Sequence, residues 1–304
     1  MRRKEQKIVF VTGKGGVGKS AVAAALALVE ARRGKKVLLV ELGQTSFYRH
    51  VFPGAGQLKP TLVTNGLEVV RLEAESCLHE YMLHYLKVER LVNLLFANRA
   101  TRSLINAAPA LRELALLGKI TSGPRGIGPD MPYDVVFVDA FSTGHFRALF
   151  MAPLGLAEAV RIGPMGEHCR MIVEILKNKV NSKNVLVTLP EELPVNEAGE
   201  LCTFLRQQFD QEPTVVINRN LALPLSAEEL QAARSKLRAL ASPPAWGEEF
   251  CDYLSEQGRR QEEAAAQVHR WKTKTIELPL YFINQWPILL RKMSEDLEQK
   301  WPTG

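Results

Sequence analysis

Cysteine is scarce and scattered in this chain: Cys77, Cys169, Cys202 and Cys251 stand far apart in 304 residues, with no C-x-x-C pair. That spacing argues against a zinc or iron–sulfur site and for a reducing compartment, the cytoplasm. Long apolar runs are missing too. Met1-Arg2-Arg3-Lys4 is basic, but the apolar stretch behind it is too short for a signal peptide or a membrane span and reads as a first strand. Blocks of one charge sign are also absent. The formal net charge is +6 and the pI about 9.1, with the positive residues dispersed. A dispersed surplus suits a small polyanion or a membrane surface and does not imply nucleic acid. No internal repeat or low-complexity segment is present. With 46% hydrophobic and 24% charged residues, the chain has ordinary globular proportions and buries an ample core.

What is present is concentrated near the N-terminus. The apolar run Ile8-Val9-Phe10-Val11 leads into Gly13-Lys14-Gly15-Gly16-Val17-Gly18-Lys19-Ser20, and a small-residue helix opens at Ala21. Strand, glycine loop, Lys-Ser, helix is the phosphate-binding P-loop pattern. Glycines let backbone N–H groups crowd round a phosphate, and the helix N-terminus adds its positive dipole end. In that pattern residues Gly13 to Ala21 cradle ATP, Lys19 neutralises the β- and γ-phosphates, and the Ser20 hydroxyl ligates Mg²⁺. Lys14 is a second lysine inside the loop, by itself a solvated side chain.

The rest of the chain alternates strand and helix patterns. Gly34 is placed to end the first helix, and Lys36–Val40 reads as a buried strand whose end, Glu41 to Ser46, opens beside the phosphate site. Gly66–Leu72 is another strand. From Ser76 to about Ile120 apolar residues recur at helical spacing, among them Leu78, Tyr81, Met82, Leu91, Leu94 and Leu95. That is too long for a simple crossover and predicts a helical subdomain over roughly 76–128, with a contribution from 150–180, in a single domain spanning 1–304. Its stripes form core or a client groove, and the pattern favours core. Tyr133–Asp139 is an apolar strand ending in a carboxylate, the Walker B pattern. Asp139 either stands near the Mg²⁺ held by Ser20, through water, or caps the next helix, and the upstream P-loop favours the metal. Gly144 is placed to offer an N–H to a γ-phosphate. Further strands are predicted at Asn184–Thr188, Pro213–Arg219 and Thr275–Leu280, with a helix from Ala198 and a final amphipathic helix carrying Trp286, Leu289, Leu290, Met293 and Leu297. That last stripe serves as core or as a membrane-docking face, and its mixed-sign polar side favours core, so membrane contact is not indicated.

The G-K-G-G-x-G-K-S loop, with Asp139-Ala140-Phe141-Ser142-Thr143-Gly144-His145, Leu189-Pro190-Glu191-Glu192-Leu193-Pro194-Val195-Asn196-Glu197 and Val216-Ile217-Asn218, resembles the bacterial ArsA and Get-pathway branch of the signature-lysine P-loop ATPases. The resemblance covers nearly the whole chain. It implies an α/β fold, a doubly wound mostly parallel sheet with helices on both faces, and an ATP- and Mg²⁺-dependent ATPase. It implies that Lys14 reaches across a dimer interface to the partner's nucleotide, that Asn218 reads the adenine edge, and that Pro279 and Leu280 pack on the base. One P-loop implies a second ArsA-like subunit, in a homodimer or paralogue heterodimer, and a protein client that nucleotide state engages or releases.

Four departures qualify these expectations. The family's switch I D-P-A-H is replaced, with Gly43 and Gln44 on its Asp-Pro, so hydrolysis must use Glu41, Gln44 or a partner's residue, or be slow. Ala21 replaces a hydroxyl residue. The C-x-x-C zinc clip and the long methionine-rich client insert are absent. A non-hydrolysing scaffold, or a MinD/ParA-like positioning switch, are the alternatives to a turning-over ATPase.

Overall fold

The computed structural model describes residues 6–86, 109–128, 131–160, 162–221, 227–240 and 246–302, with the isolated positions Arg90, Leu94, Ala97 and Pro244. In chain order these are β1 Lys7–Gly13, α1 Lys19–Arg32, β2 Val37–Leu42, a 3₁₀ turn Tyr48–His50, β3 Thr61–Thr64, β4 Leu67–Leu72, α2 Ala74–Leu86 and α3 Pro109–Ile120. A further short helical turn at Ser122–Arg125 precedes β5 Val135–Ser142, α4 Thr143–Ala159, α5 Pro164–Lys177, β6 Ser182–Thr188 and α6 Glu192–Phe209. The chain closes with β7 Thr214–Asn220, α7 Ala227–Arg238, α8 Gly247–Arg270, β8 Thr275–Pro279 and α9 Trp286–Glu298.

The strands form one sheet in the order β3-β4-β2-β5-β1-β6-β7-β8. Among the described residues only β3 runs antiparallel, against β4, and every other pairing is parallel. Parallel strands covered on both faces read as continuous apolar runs, and here alternate residues part to opposite sides. Ile8 and Phe10 join a core with α3, α4, α5, α6 and α8, whereas Val9 and Val11 join one with α1 and α9. The first core centres on Phe10, Phe146 and Phe150, with ring centroids 5.0 Å apart for Phe10–Phe150 and 4.3 Å for Phe146–Phe150. This is the doubly wound α/β fold of the P-loop NTPases.

α1 is rich in alanine, the best helix former, and is buried almost all round because sheet and α9 enclose it. Its end is a left-handed glycine: Gly34 (φ 80°) lets Lys35 N–H reach Glu30 O at 3.2 Å. Buried Glu30 then gathers Lys35 Nζ (2.5 Å), Arg33 Nη1 (2.8 Å) and Trp301 Nε1 (3.1 Å). α9 lies on α1 through Leu290, Met293 and Leu297, and Arg32 Nη1 donates to Ser294 Oγ at 2.7 Å. The apolar stripe of the terminal helix is therefore core. No described helix is long and apolar enough to cross a membrane.

One helix start and one strand differ from expectation. α6 begins at Glu192, not Ala198, because Pro194 falls in the first helical turn, where its missing N–H would have no intrahelical partner anyway. The short edge strand β3 was not anticipated. Of the helical region expected over 76–128, α2 and α3 pack together, and α3 packs on α4. Leu91 and Leu95 of its predicted stripe lie outside the described residues, and Leu94 is exposed.

Candidate functional site

The sheet delivers the ends of β1, β2, β5 and β7 to one edge, and the glycine loop lies between β1 and α1. Gly18 caps α1 in the left-handed region (φ 93°), and a side chain there would meet Asn218 Nδ2 at 2.4 Å, so only glycine fits. That amide is engaged: Asn218 Nδ2 donates to Val17 O at 2.8 Å, pinning the loop to the end of β7. Its orientation, set by this bond, leaves Oδ1 as the acceptor. Lys19 Nζ donates to Lys14 O at 3.0 Å, bridging the loop. Burial lowers the Lys19 pKa, and the nearby Asp139 carboxylate opposes that shift. Cβ positions built on Gly15 and Gly16 meet nothing within 4 Å, so the loop is open where an anion would sit.

Asp139 lies beside Val11 on β1 and Glu41 on β2. β5 continues to Ser142, which is the N-cap of α4, so Asp139 is not a helix cap. Burial pushes its pKa up to about 6, against hydrogen bonds from Ser20 and Tyr48 and the charge of Lys19. The hydroxyl of Ser20 and the carboxylate of Asp139 form an all-oxygen donor set that suits a hard divalent cation. Tyr48, wholly buried, places its hydroxyl 3.1 Å from Asp139 Oδ2 and 3.0 Å from Ser20 O.

Glu41 is also buried, and its carboxylate is occupied. Ser46 Oγ donates to Oε2 and Phe47 N–H to Oε1, each at 2.5 Å, and Ser46 Oγ in turn accepts from Arg49 N–H at 3.2 Å. The carboxylate thus organises the turn that carries Tyr48. Gly43 adopts φ 127° and bonds Leu72 O through its N–H at 3.2 Å. Arg71 Nη1 reaches Gln44 O at 2.5 Å, Arg71 Nε reaches Gly56 O at 3.2 Å, and the guanidinium pairs with Glu73. The Gln44 side chain is exposed and borders a cavity of about 490 Å³ that it shares with Glu113 and His145.

Lys14 does not lie free. Its Nζ is 2.7 Å from Glu197 Oε1, and Glu197 Oε2 accepts from Thr143 Oγ1 at 2.8 Å. The hydrogen bond from Lys14 is the main reason the Glu197 pKa falls below its usual range. One carboxylate on α6 therefore ties the glycine loop to the first residue of α4. Gly144, next along, is exposed with open space at its Cβ position.

A cavity of about 460 Å³ runs from Gly18–Ser20 to the terminal helix. Phe47 and Trp286, in edge-to-face contact with ring centroids 5.0 Å apart, line it together with Asn218, Leu280 and Tyr281. Leu280 is held by its N–H on Asn220 O at 2.9 Å, whereas Pro279 is exposed at the strand end and does not line the cavity. Sequence reasoning singled out neither Phe47, Tyr48, Tyr281 nor Arg71, and it gave Glu197 and Trp286 no part in the site. The one available signal was the adjacency of Phe47-Tyr48 to the strand-end segment after Glu41.

A doubly wound sheet with this loop, lysine and strand-end aspartate defines a P-loop nucleotide-binding protein. The anion-transporting ATPase family, ArsA, matches residues 6–162, and the chain belongs to that family. The "ATPase BagA" of Mycobacterium tuberculosis is 32% identical over 241 residues, covering 75% of this chain and 69% of that protein. The "Arsenical pump-driving ATPase" of Escherichia coli is 25% identical over 261 residues, covering 78% of this chain and 44% of the other. The "ATPase ASNA1 homolog" of Plasmodium chabaudi chabaudi is 22% identical over 253 residues, covering 73% and 64%. The chain is thus an ArsA/Get-like ATPase by family.

Proposed function

We propose that the chain is a cytoplasmic, dimer-forming ATPase that takes ATP with Mg²⁺ and couples its nucleotide state to engagement of a protein partner. The observation that carries this reading is the phosphate cradle itself: open glycines, Lys19 across the loop, Ser20 in the wall of a base-sized cavity, and Asp139 and Tyr48 grouped behind it. ATP would lie with its phosphates on the loop N–H groups and Lys19. Its base would sit between Phe47, Leu280 and Tyr281, with Asn218 Oδ1 accepting from the exocyclic amine. Ser20 and Asp139 would hold Mg²⁺, Asp139 through water, and the bound ion supplies charge neutralisation on the β- and γ-phosphates. Lys14 would leave Glu197 to reach a second subunit's nucleotide, identical or paralogous. The exchange is inexpensive, because a half-exposed ion pair contributes about 0–1 kcal/mol. Water attack at the terminal phosphorus would yield ADP and phosphate.

A non-hydrolysing scaffold is the second reading. It is favoured by one observation: the only buried carboxylate at the end of β2, Glu41, already accepts two hydrogen bonds and faces the turn. Of the two candidate groups of this chain, Glu41 and Gln44, only Gln44 is then exposed. Sedimentation with and without Mg·ATP, joined to single-turnover hydrolysis of labelled ATP, separates the readings. ATP-dependent dimers lost in Lys14→Ala, with slow phosphate release, support the ATPase. Dimers without phosphate release support the scaffold, and dimers unaffected by Lys14→Ala remove the cross-subunit lysine.

A further inference from the structure

The turn after β2 does two things at once. Phe47 faces the base end of the nucleotide cavity, against Trp286, and Tyr48 faces the opposite end, toward Ser20 and Asp139. Both are held by a buried acid, since Glu41 takes the Phe47 N–H and the Ser46 hydroxyl. The Tyr48 ring needs no hydroxyl to pack. It is fully buried beside Phe47 and Phe52, with centroids 5.4 and 6.2 Å away, and a phenylalanine would fill the same volume. The hydroxyl itself has one proton and two acceptors within reach, Asp139 Oδ2 and the Ser20 carbonyl. Asp139 is thus gripped from two sides, by the Ser20 side chain on α1 and by Tyr48 on the turn.

We propose that Tyr48 is a positioning residue for the Mg²⁺ of the bound nucleotide, its hydroxyl fixing the plane of the Asp139 carboxylate that holds the metal's water. A carboxylate with one oxygen tied has a single orientation to offer the metal shell; untied, it rotates and the water it holds loses register. Partners of a group that itself touches the ion typically govern metal affinity by about 10- to 100-fold, and Tyr48, acting through Asp139 and a water, stands one shell further out, so its effect falls at or below the low end of that range. The arrangement also gives the segment after β2 a direct contact with Asp139, in a chain that carries Gly43 where the ArsA pattern it resembles has an aspartate.

This inference rests on the Mg·ATP reading, and the test keeps the two apart. A fluorescent ATP analogue is titrated onto the full chain in EDTA, then at rising Mg²⁺, for the native protein and for Tyr48→Phe. The expected result is an unchanged affinity in EDTA and a Mg²⁺ midpoint raised several-fold, up to about tenfold. Ser46→Ala, which slackens the turn and keeps the tyrosine, should shift the midpoint the same way by less, and serves if Tyr48→Phe proves unstable. An identical Mg²⁺ midpoint in both variants, or an equal loss of affinity with and without Mg²⁺, overturns the positioning role. A native protein that binds no nucleotide at any Mg²⁺ concentration overturns the functional reading instead.

Discussion

The glycine loop and the segment after β2 lie side by side at the same sheet edge, yet they are built in opposite ways. The loop is held through its backbone: Gly18 lies in the left-handed region, and the Val17 and Lys14 carbonyls accept from the Asn218 and Lys19 side chains. Its two lysines rest on partners a ligand could replace, Lys14 on Glu197 and Lys19 on a loop carbonyl. In the segment from Glu41 to His50 the side chains do the holding. Glu41 organises the turn, Arg71 grips the Gln44 carbonyl, and Tyr48 reaches back to Asp139. On the proposed function, the difference teaches that binding and turnover are separately encoded. The loop keeps exchangeable lysines for phosphate, while the segment after β2 has committed its acid to structure.

Three substitutions would break or sharpen that contrast. Lys19→Ala should have the largest effect, lowering nucleotide affinity by about 10- to 100-fold, since it removes a charge-assisted contact to phosphate; equilibrium titration measures it. Gly43→Asp, which restores the residue type of the relatives, should fail to raise turnover and should lower the thermal midpoint. There is room for a Cβ, but φ 127° strains any L-residue by roughly 1–3 kcal/mol. A gain in phosphate release with unchanged stability would show that the switch lacks only a carboxylate. Glu197→Gln is the mildest: releasing Lys14 should raise the ATP-dependent dimer fraction a few-fold at most, consistent with a half-exposed pair. Because the Glu197 pKa is lowered in the folded chain, the bond it makes with Lys14 is fully present above the ordinary glutamate range, near pH 4.3, and is lost only as pH falls through the lower folded value. The effect of Glu197→Gln should therefore be constant between pH 6 and 8.

Most of the sheet was legible because its signals are local. Apolar runs such as Val37–Val40 and Val135–Val138 announce buried strands whatever their neighbours, and the glycine spacing carries its own strand-loop-helix context. β3 was not legible: four residues alternating between half-buried and exposed have too little apolar content to stand out. The start of α6 was misplaced because Pro194 reads as a break until its position in the first turn is known. Tyr48, Glu197 and Arg71 escaped for a common reason. Their partners stand 91, 54 and 27 residues away, at Asp139, Thr143 and Gln44, and nothing in local spacing records such a meeting. Glu41 shows the converse limit. Its place at a strand end marked it as a candidate acid, but only packing reveals that both its oxygens already have donors.

Trp286 gives the molecule an optical handle on its own occupancy. The indole stands at the first turn of α9, in the wall of the nucleotide cavity and edge-on to Phe47, so an occupant of the cavity changes the polarity around it. Of the other three tryptophans, Trp246 is exposed, Trp271 packs in the opposite core beside Gly199, and Trp301 is tied to Glu30 behind the far end of α1. Emission that shifts on adding nucleotide would therefore come from one residue, without a label.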